Sequence, residues 1–290
     1  MPEIGSKLAK ADIDMIDETF DFSRSENFDL FIQIGWNRLS FCIYDFVLNK
    51  FDLLRSYLLS NAEPHSIISE CRAIFERDDL LGLRYKDSRN MLISPRCTLV
   101  PEHLFDENDA DLYLTFNHGK AIGEQTLHNH IGLANAYNVF SYPEELMAML
   151  QLYQPNIKLF HHATPLIETS VACMNTSDQI NVCVYYYSGY LDITVIEKSK
   201  LLFYNTFQIN APEDAVYYYT LALNSLKIDN TSTKLIYAGN IKNMSPEISL
   251  LKFYVDDATD FDLPDVAYSN SISEPLRKEF INLFNLYRCE

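Results

Sequence analysis

Residues 28–59, FDLFIQIGWNRLSFCIYDFVLNKFDLLRSYLL, contain three consecutive strand patterns joined by tight turns. An apolar strand ends at Gly35–Asn37, an alternating strand follows, and a second turn leads into a third strand. Residues 179–209, QINVCVYYYSGYLDITVIEKSKLLFYNTFQI, repeat this arrangement, with turns at Ser188–Gly189 and Lys198–Lys200. Connections this short require antiparallel neighbours, so each triplet predicts an antiparallel meander.

The segments after the two triplets also correspond. Each half alternates helical and strand-like stretches, which predicts β-β-β-α-β-α-β-α twice, with a boundary near Asn175–Asp178. Strands separated by helices imply parallel pairing through crossovers. The predicted elements are a helix at 65–80, a strand at 90–94, a helix opened by Pro143, a strand at 157–160, a helix at 164–174, a helix from Pro212 to 227, a strand at 233–238, a short helix opened by Ser245 and Pro246, a strand near 265–269 and a helix at 274–287.

An interruption at about 95–141 has no counterpart in the second half. It contains strand patterns near 110–116 (ADLYLTF) and 136–140 (AYNVF), which predict a small inserted subdomain. The expected domains are therefore residues 1–175, including this insertion, and residues 176–290.

Composition narrows the class of protein. Of the 290 residues, 48% are hydrophobic and 22% are charged, which is globular composition. A formal charge of -17 argues against nucleic-acid binding. No run of 18 apolar residues predicts a membrane span, and the acidic first 20 residues lack the apolar core of a secretory signal. Six scattered cysteines, mostly in apolar runs, fit a reduced, cytoplasmic protein.

The duplicated order with an insertion in its first half resembles the actin-like ATPase superfamily. It also resembles pilus-assembly and secretion proteins that use this fold as a docking platform. The segment LVPEHLF, Leu99–Phe105, makes the chain more similar to an uncharacterised bacterial domain-of-unknown-function family. The resemblance covers roughly residues 28–288. It implies an α/β fold of duplicated ribonuclease H-like domains, each with a mixed five-stranded sheet.

The same resemblance implies where a nucleotide cleft would lie. Active members carry an acid two positions before the glycine of the first hairpin, where this chain has Gln33. The second hairpin usually supplies an acid and glycines, and here Tyr186 and Tyr187 precede a single glycine. Carboxylates hold Mg²⁺ and position water in phosphoryl transfer, so these losses predict a degenerate site. Its candidate residues are Gln33, Gly35, Trp36, Asn37, Ser188, Gly189, Gly239 and Asn240.

Glycine content agrees with a degenerate site. The chain has 8 glycines, where average usage of about 7% would supply roughly 20. The first hypothesis is a non-catalytic binding or regulatory module without cofactor or metal, docking a partner peptide in the cleft or on the insertion. Acidic runs at 106–111 (DENDAD) and 256–265 (DDATDFDLPD) favour a basic partner segment. The alternative is an ATPase or kinase that uses ATP and Mg²⁺ with acids from elsewhere, such as Asp29, Asp45 or Asp192.

Other motifs have weaker chemical meaning. His128 and His130 share a strand face and, with His118 or Glu124, could chelate a metal, although a polar hairpin explains them equally well. The adjacent pair His161–His162 is expected to contribute packing and a turn. The glycines at 119 and 123 do not form a phosphate loop, because no Gly-Lys-Ser/Thr follows. The acidic runs lack the glycine and glutamate of a calcium loop, which favours solvated loops.

Overall fold

A computed structural model describes residues 10–60, 64–174, 179–187, 189–240, 245–261 and 266–289. The chain divides into two compact units. The first comprises the described residues of Met1–Ile93, Tyr142–Leu159 and Val266–Ile272. The second comprises those of Ser94–Ser141, Phe160–Asp265 and Ser273–Glu290.

The described residues form strands and α-helices in alternation after each meander. The strands are β1 (Ile13–Ile16), β2 (Asp29–Ile34), β3 (Arg38–Asp45), β4 (Lys50–Leu58), β5 (Asp87–Leu92), β6 (Cys97–Pro101), β7 (Glu124–Ile131), β8 (Ala136–Pro143), β9 (Lys158–His161), β10 (Ile180–Tyr187), β11 (Tyr190–Glu197), β12 (Lys200–Gln208), β13 (Thr233–Gly239), β14 (Asp257–Asp260) and β15 (Ala267–Tyr268). The α-helices are α1 (Pro64–Phe75), α2 (Ala110–His118), α3 (Glu144–Tyr153), α4 (Ala163–Cys173), α5 (Pro212–Leu226), α6 (Ser245–Leu251), α7 (Glu274–Glu279) and α8 (Ile281–Phe284).

The first sheet has the order β1-β4-β3-β2-β5-β9. Strands β2, β3 and β4 form the antiparallel meander predicted for residues 28–59, and β5 lies parallel to β2. Every residue of β2 is buried, as expected for a central strand covered on both faces. The sheet is larger than the five strands expected, because β1 and β15 both pair with β4.

The second sheet has the order β12-β11-β10-β13-β14. Its meander is antiparallel, while β13 lies parallel to β10 and β14 parallel to β13. Apolar side chains of β10, β11 and β13 pack against α5 and α6, with Tyr219 of α5 fully buried among them. The Tyr219 hydroxyl lies 2.8 Å from the Thr233 hydroxyl, which satisfies a polar group inside this core.

A third sheet, of order β6-β8-β7, occupies much of the interruption at about 95–141. Helix α2 packs on it through Ala110 and Leu114, which contact Val100 and Val139. The strand expected near 110–116 is therefore wrong, since these residues form α2. Ala110 and Leu114 are four positions apart and share a helix face, and Gly119 ends the helix at a φ of 67°.

The fifth strand of the second sheet also differs from the expectation near 265–269. Residues 262–265 lie outside the described residues, and β15 pairs with β4 of the first sheet. The fifth strand is β14, within the acidic run 256–265 that was expected to be a solvated loop. Its charges are compensated at this sheet edge, because Lys278 lies 2.7 Å from Asp260 and Lys234 lies 3.9 Å from Asp257.

Among the described helices, none combines the length and apolar character needed to cross a bilayer.

Candidate functional site

The first predicted hairpin joins β2 to β3. The Gly35 amide donates to the Arg38 carbonyl at 2.9 Å and closes the turn, while the Asn37 carbonyl accepts from Leu59 N at 2.8 Å. Gln33 Oε1 and Trp36 Nε1 are buried polar atoms without a hydrogen-bond partner among the described residues. A Cβ added to Gly35 would meet Ile93 at 3.4 Å, an ordinary contact, so no unusual conformation requires glycine there.

The second hairpin and the turn after β13 meet at the end of β10. Gly239 has a φ of 93°, and a Cβ there would lie 2.2 Å from the Tyr186 carbonyl oxygen. The Asn240 amide donates to that same oxygen at 3.0 Å. Gly189 has a φ of 83° in the β10–β11 turn, and its carbonyl accepts from Ile209 N at 2.7 Å. Ser188 lies outside the described residues.

Two of the predicted glycines, Gly189 and Gly239, therefore have structural explanations. Gly239 is required by the close approach of β13 to the β10 backbone, and Gly189 by the left-handed conformation of a hairpin turn. The predicted residues form two local groups, one on the β2–β3 hairpin and one beside Tyr186. Neither glycine needs a bound phosphate to account for it.

The histidines considered as metal ligands have separate environments. His118 Nε2 lies 2.8 Å from the Cys97 carbonyl oxygen, and His130 Nε2 lies 3.5 Å from a Glu102 carboxylate oxygen. The His128 ring packs against Phe105, with 5.0 Å between ring centroids. In the described ranges, no group of three or more His, Cys, Asp or Glu side chains is arranged to hold a metal ion.

The structure also contains a buried polar network in the second unit. Asp192 of β11 and His162, just before α4, are both fully buried. His162 Nε2 lies 3.3 Å from Asp192 Oδ1 and 3.1 Å from Oδ2, and only the Oδ1 contact has hydrogen-bond geometry. Tyr204 and Thr206 of β12 donate to Oδ1 at 3.0 and 2.5 Å, and the Tyr187 hydroxyl lies 2.9 Å from His162 Nε2. The network thus joins three strands to the start of α4.

The hydroxyl groups of this network donate hydrogen bonds that connect the strands. Burial, with the Asp192 charge as the next cause, raises the pKa of Tyr187 and of Tyr204 well above the usual value. Both phenols therefore stay protonated and can donate hydrogen bonds. Tyr187, which precedes the glycine of the second hairpin, is only 7% exposed. The sequence contained one signal for this network. Asp192 is a charged residue within the alternating strand pattern LDITVIE, Leu191–Glu197, and the structure buries it.

Asp45 and Asp29, the other two acids named for an atypical enzyme, are respectively engaged in a turn and buried. Asp45 Oδ1 accepts from the backbone amides of Val47 and Leu48, at 2.8 and 3.0 Å, and so caps the β3–β4 turn. Asp29 is buried, and desolvation followed by the nearby Asp87 raises its pKa. A carboxyl group in such a setting is a weaker magnesium ligand than an exposed carboxylate.

His161 should make stability fall at low pH. Its Nε2 lies 2.7 Å from the Ser94 carbonyl oxygen and its Nδ1 accepts from Ala163 N at 3.2 Å, so the neutral ring is fully satisfied. Burial, followed by the adjacent His162, lowers its pKa well below the usual value. Below about pH 6.5 the unfolded chain binds a proton that the folded chain excludes, which removes up to about 1.4 kcal/mol per pH unit.

The measurement is urea unfolding of the wild type and of His161→Gln between pH 7.5 and 4.5. As the pH falls, the free energy of unfolding should decrease more steeply for the wild type than for His161→Gln. The difference in slope should be at most about 1.4 kcal/mol per pH unit, which corresponds to one bound proton. His103→Gln, at an exposed position, is the control and should keep the wild-type slope. Equal slopes for wild type and His161→Gln would contradict the assignment.

A surface cavity of about 440 Å³ lies between β6 and α2, and we call it the β6–α2 groove. Its volume is within the range of about 300–1,000 Å³ found for ligand pockets. Its lining includes three exposed large apolar residues, Phe116 (87%), Leu112 (62%) and Leu104 (60%). Leu112 and Phe116 are four positions apart on α2 and therefore share one face of the helix. Large apolar side chains exposed together around a cavity are a feature of interaction sites.

Polar contacts hold the walls of the β6–α2 groove in place. Asn117 of α2 donates to the Thr98 hydroxyl of β6 at 2.8 Å. The Tyr113 hydroxyl donates to the Leu104 carbonyl at 2.9 Å and accepts from Asp106 N at 3.1 Å. Four residues of the segment Leu99–Phe105, singled out in the sequence, line the groove, namely Leu99, Val100, Pro101 and Leu104.

Comparison with solved structures finds similar folds over most of the chain. A crystal structure from Bacteroides thetaiotaomicron VPI-5482, described as a protein with an actin-like ATPase fold and unknown function, has 22% identity and a TM-score of 0.83. The match covers 94% of this chain and 100% of that one. The PilM–PilN type IV pilus biogenesis complex contains a chain with 12% identity and a TM-score of 0.51, over 89% of this chain and 97% of that one.

Comparison with curated proteins gives no match. The structural neighbours show that this α/β mixed-sheet protein has the actin-like ATPase fold. Residues 17–257 match the family described as "Protein of unknown function (DUF3822)". Because this match spans most of the 290 residues, the chain belongs to the DUF3822 family.

Proposed function

We propose that this protein is a non-catalytic actin-like fold that acts as a protein-binding or regulatory module, with its partner docked in the β6–α2 groove. One observation carries the proposal: Phe116, Leu112 and Leu104 are exposed around a preformed apolar cavity. Large apolar side chains around such a cavity supply binding energy when a partner covers them. The PilM–PilN complex, a neighbour in fold, is a precedent for this fold in a protein complex.

The proposal includes an internal duplication. The domains would be residues 1–175, with an inserted subdomain at about 95–141, and residues 176–290. The order β4-β3-β2-β5-β9 in one sheet and β12-β11-β10-β13-β14 in the other supports two ribonuclease H-like domains. In both, a meander is followed by strands added beside its first strand. The β6–α2 groove would then belong to the insertion.

The proposal also includes a degenerate nucleotide cleft formed by the predicted hairpin residues. Gly189 and Gly239 are explained by backbone conformation and strand packing, which supports a role in folding. Gln33 stands where the resemblance places an acid, and a glutamine brings no charge to a metal. The alternative is an ATPase or kinase that recruits acids from elsewhere, for instance Asp29, Asp45 or Asp192. In this structure Asp45 caps a turn, and Asp29 and Asp192 are buried.

ATP and Mg²⁺ are therefore expected to leave the melting temperature unchanged. A ligand at 100 times its Kd stabilises the folded state by about 2.7 kcal/mol, which a thermal-shift measurement detects readily. ADP and GTP should likewise have no effect. A Mg²⁺-dependent upward shift with ATP would contradict the proposal of a degenerate cleft, and phosphate release would favour the alternative.

Phe116→Lys should abolish capture of the partner. The full-length protein is used to recover partners from a lysate of its source organism, identified by mass spectrometry. Losing an aromatic anchor that the bound partner covers costs about 2 kcal/mol or more, roughly 30-fold in affinity. A lysine near the end of α2 is compatible with the helix dipole, so the fold should persist.

Leu152→Lys is the matched control. Leu152 is 70% exposed near the end of α3, much as Phe116 lies near the end of α2. Circular dichroism should show all three proteins equally folded. Docking in the β6–α2 groove is wrong if Phe116→Lys recovers the same partners as wild type.

A further inference from the structure

We infer that the occupant of the β6–α2 groove is a peptide segment with an apolar anchor flanked by Lys or Arg residues. This inference rests on the proposed function and adds the chemistry of the partner. It depends on the distribution of charge around the groove, which is uneven. The apolar walls favour an apolar anchor residue, and the charged rim favours Lys or Arg residues next to that anchor.

The rim of the groove is acidic. The chain from Pro101 to Asn117 contains no Lys or Arg. Its carboxylates are all on exposed residues, namely Glu102, Asp106, Glu107, Asp109 and Asp111. They lie on the segment between β6 and α2 and on the first turn of α2. The Asp106 amide donates to the hydroxyl of the lining residue Tyr113 at 3.1 Å, which places this acidic segment beside the groove.

Three of these carboxylates are not neutralised by the protein. Glu102 faces His130 at 3.5 Å, and Asp106 caps its own loop by accepting from Asn108 N at 2.9 Å. Within the ranges that the structure describes, no Lys or Arg pairs with Glu107, Asp109 or Asp111. A Lys or Arg residue of the partner could therefore form ion pairs with these three carboxylates.

The nearest arginine in sequence is engaged elsewhere. Arg96 lies 3.3 Å from the Glu124 carboxylate and donates to the carbonyls of His118 and Gly119, both at 3.0 Å. It therefore anchors the far end of α2 and leaves the acidic end uncompensated. The electrostatic field there favours cationic segments and raises their association rate.

A second copy of this chain fits the groove poorly. The protein carries a formal charge of -17, and a symmetric contact would bring two acidic rims together. Like charges at an interface oppose association. The charge complementarity therefore favours a different protein with a basic, amphipathic segment.

The test is peptide display on the immobilised full-length protein, with counter-selection on Phe116→Lys. Enriched peptides should contain Phe, Leu or Met flanked by Lys or Arg. One enriched peptide, labelled with a fluorophore, is then titrated by anisotropy at two salt concentrations. The triple variant E107Q/D109N/D111N should bind it about tenfold more weakly, at roughly twofold per exposed charge, with a smaller salt dependence. The Asp109 side chain makes no capping hydrogen bond to α2, so asparagine at 109 removes no such contact.

The control removes three exposed carboxylates from other elements, in E18Q/E144Q/E213Q, and should bind the peptide as the wild type does. Groove-dependent peptides without basic flanks, or equal binding by the two triple variants, would overturn this inference while leaving groove docking intact. Absence of any peptide that distinguishes wild type from Phe116→Lys would overturn both. Sedimentation that shows dimers of wild type but not of Phe116→Lys would instead assign the groove to a second copy.

Discussion

Gly239→Ala should lower the free energy of unfolding by about 3–5 kcal/mol. The added Cβ would lie 2.2 Å from the Tyr186 carbonyl oxygen, and the φ of 93° is unfavourable for alanine. The backbone cannot easily retreat, because Gly239 is paired with Tyr186 in the parallel β10–β13 ladder. The Asn240 amide, bonded to the same oxygen at 3.0 Å, holds the turn there. Steric overlap and backbone strain therefore act together.

Alanine substitutions at two other glycines provide the comparison, with stability measured by urea unfolding. Gly189→Ala should cost about 1–2 kcal/mol, since its φ is 83° but the nearest atom to the new Cβ is 3.8 Å away. Gly82→Ala has no atom within 4 Å of the new Cβ and should change stability by less than about 0.5 kcal/mol. Equal losses for Gly239→Ala and Gly189→Ala would show that the β10 contact is not what requires glycine at 239.

Asp192→Ala should destabilise the second unit by about 3–5 kcal/mol. Asp192 Oδ1 accepts from Tyr204 and Thr206 and lies 3.3 Å from His162 Nε2. Removing the carboxylate leaves these donors buried without their acceptor, and an unsatisfied buried donor is costly. The new void adds to the loss, since Asp192 is fully buried.

Asp192→Asn provides the graded comparison. Its amide oxygen can still accept from the two hydroxyls, so its loss should be smaller than that of Asp192→Ala. Glu197→Gln, at the end of the same strand, should remain within about 0.5 kcal/mol of wild type. Chemical unfolding monitored by fluorescence and circular dichroism measures all three. A stable Asp192→Ala protein would mean that the network adds little to the fold.

Local patterns predicted much of the fold. The meander of residues 28–59 was predictable because alternation and short turns are properties of adjacent residues. Helix α5 was predictable from Pro212 at its start and its apolar spacing. Residues 110–116 were assigned wrongly because ADLYLTF carries both strand-like residues and a helical pair, Ala110 and Leu114. The packing of Ala110 and Leu114 on Val100 and Val139 stabilises the helical conformation of this segment.

The candidate site was less predictable. The sequence indicated which hairpins carry glycine and which lack an acid, because those are local motifs. It did not show that Tyr187 is buried, or that His162 meets Asp192, 30 positions away. Such contacts depend on strand register, in which Asp192 is opposite Tyr185 on one side and Thr206 on the other. A shift of one residue would place Asp192 on the other face of the sheet.

Turn chemistry and periodicity therefore specify the two meanders and the actin-like arrangement of this chain, since they act over a few neighbouring residues. Tertiary structure decided the rest. It placed β15 beside β4, paired β14 with β13 at the edge of the second sheet, and brought Gly239 against Tyr186. It also left Phe116 exposed in a groove. Burial and pairing between distant segments are set by the packing of the whole chain, which no local pattern encodes.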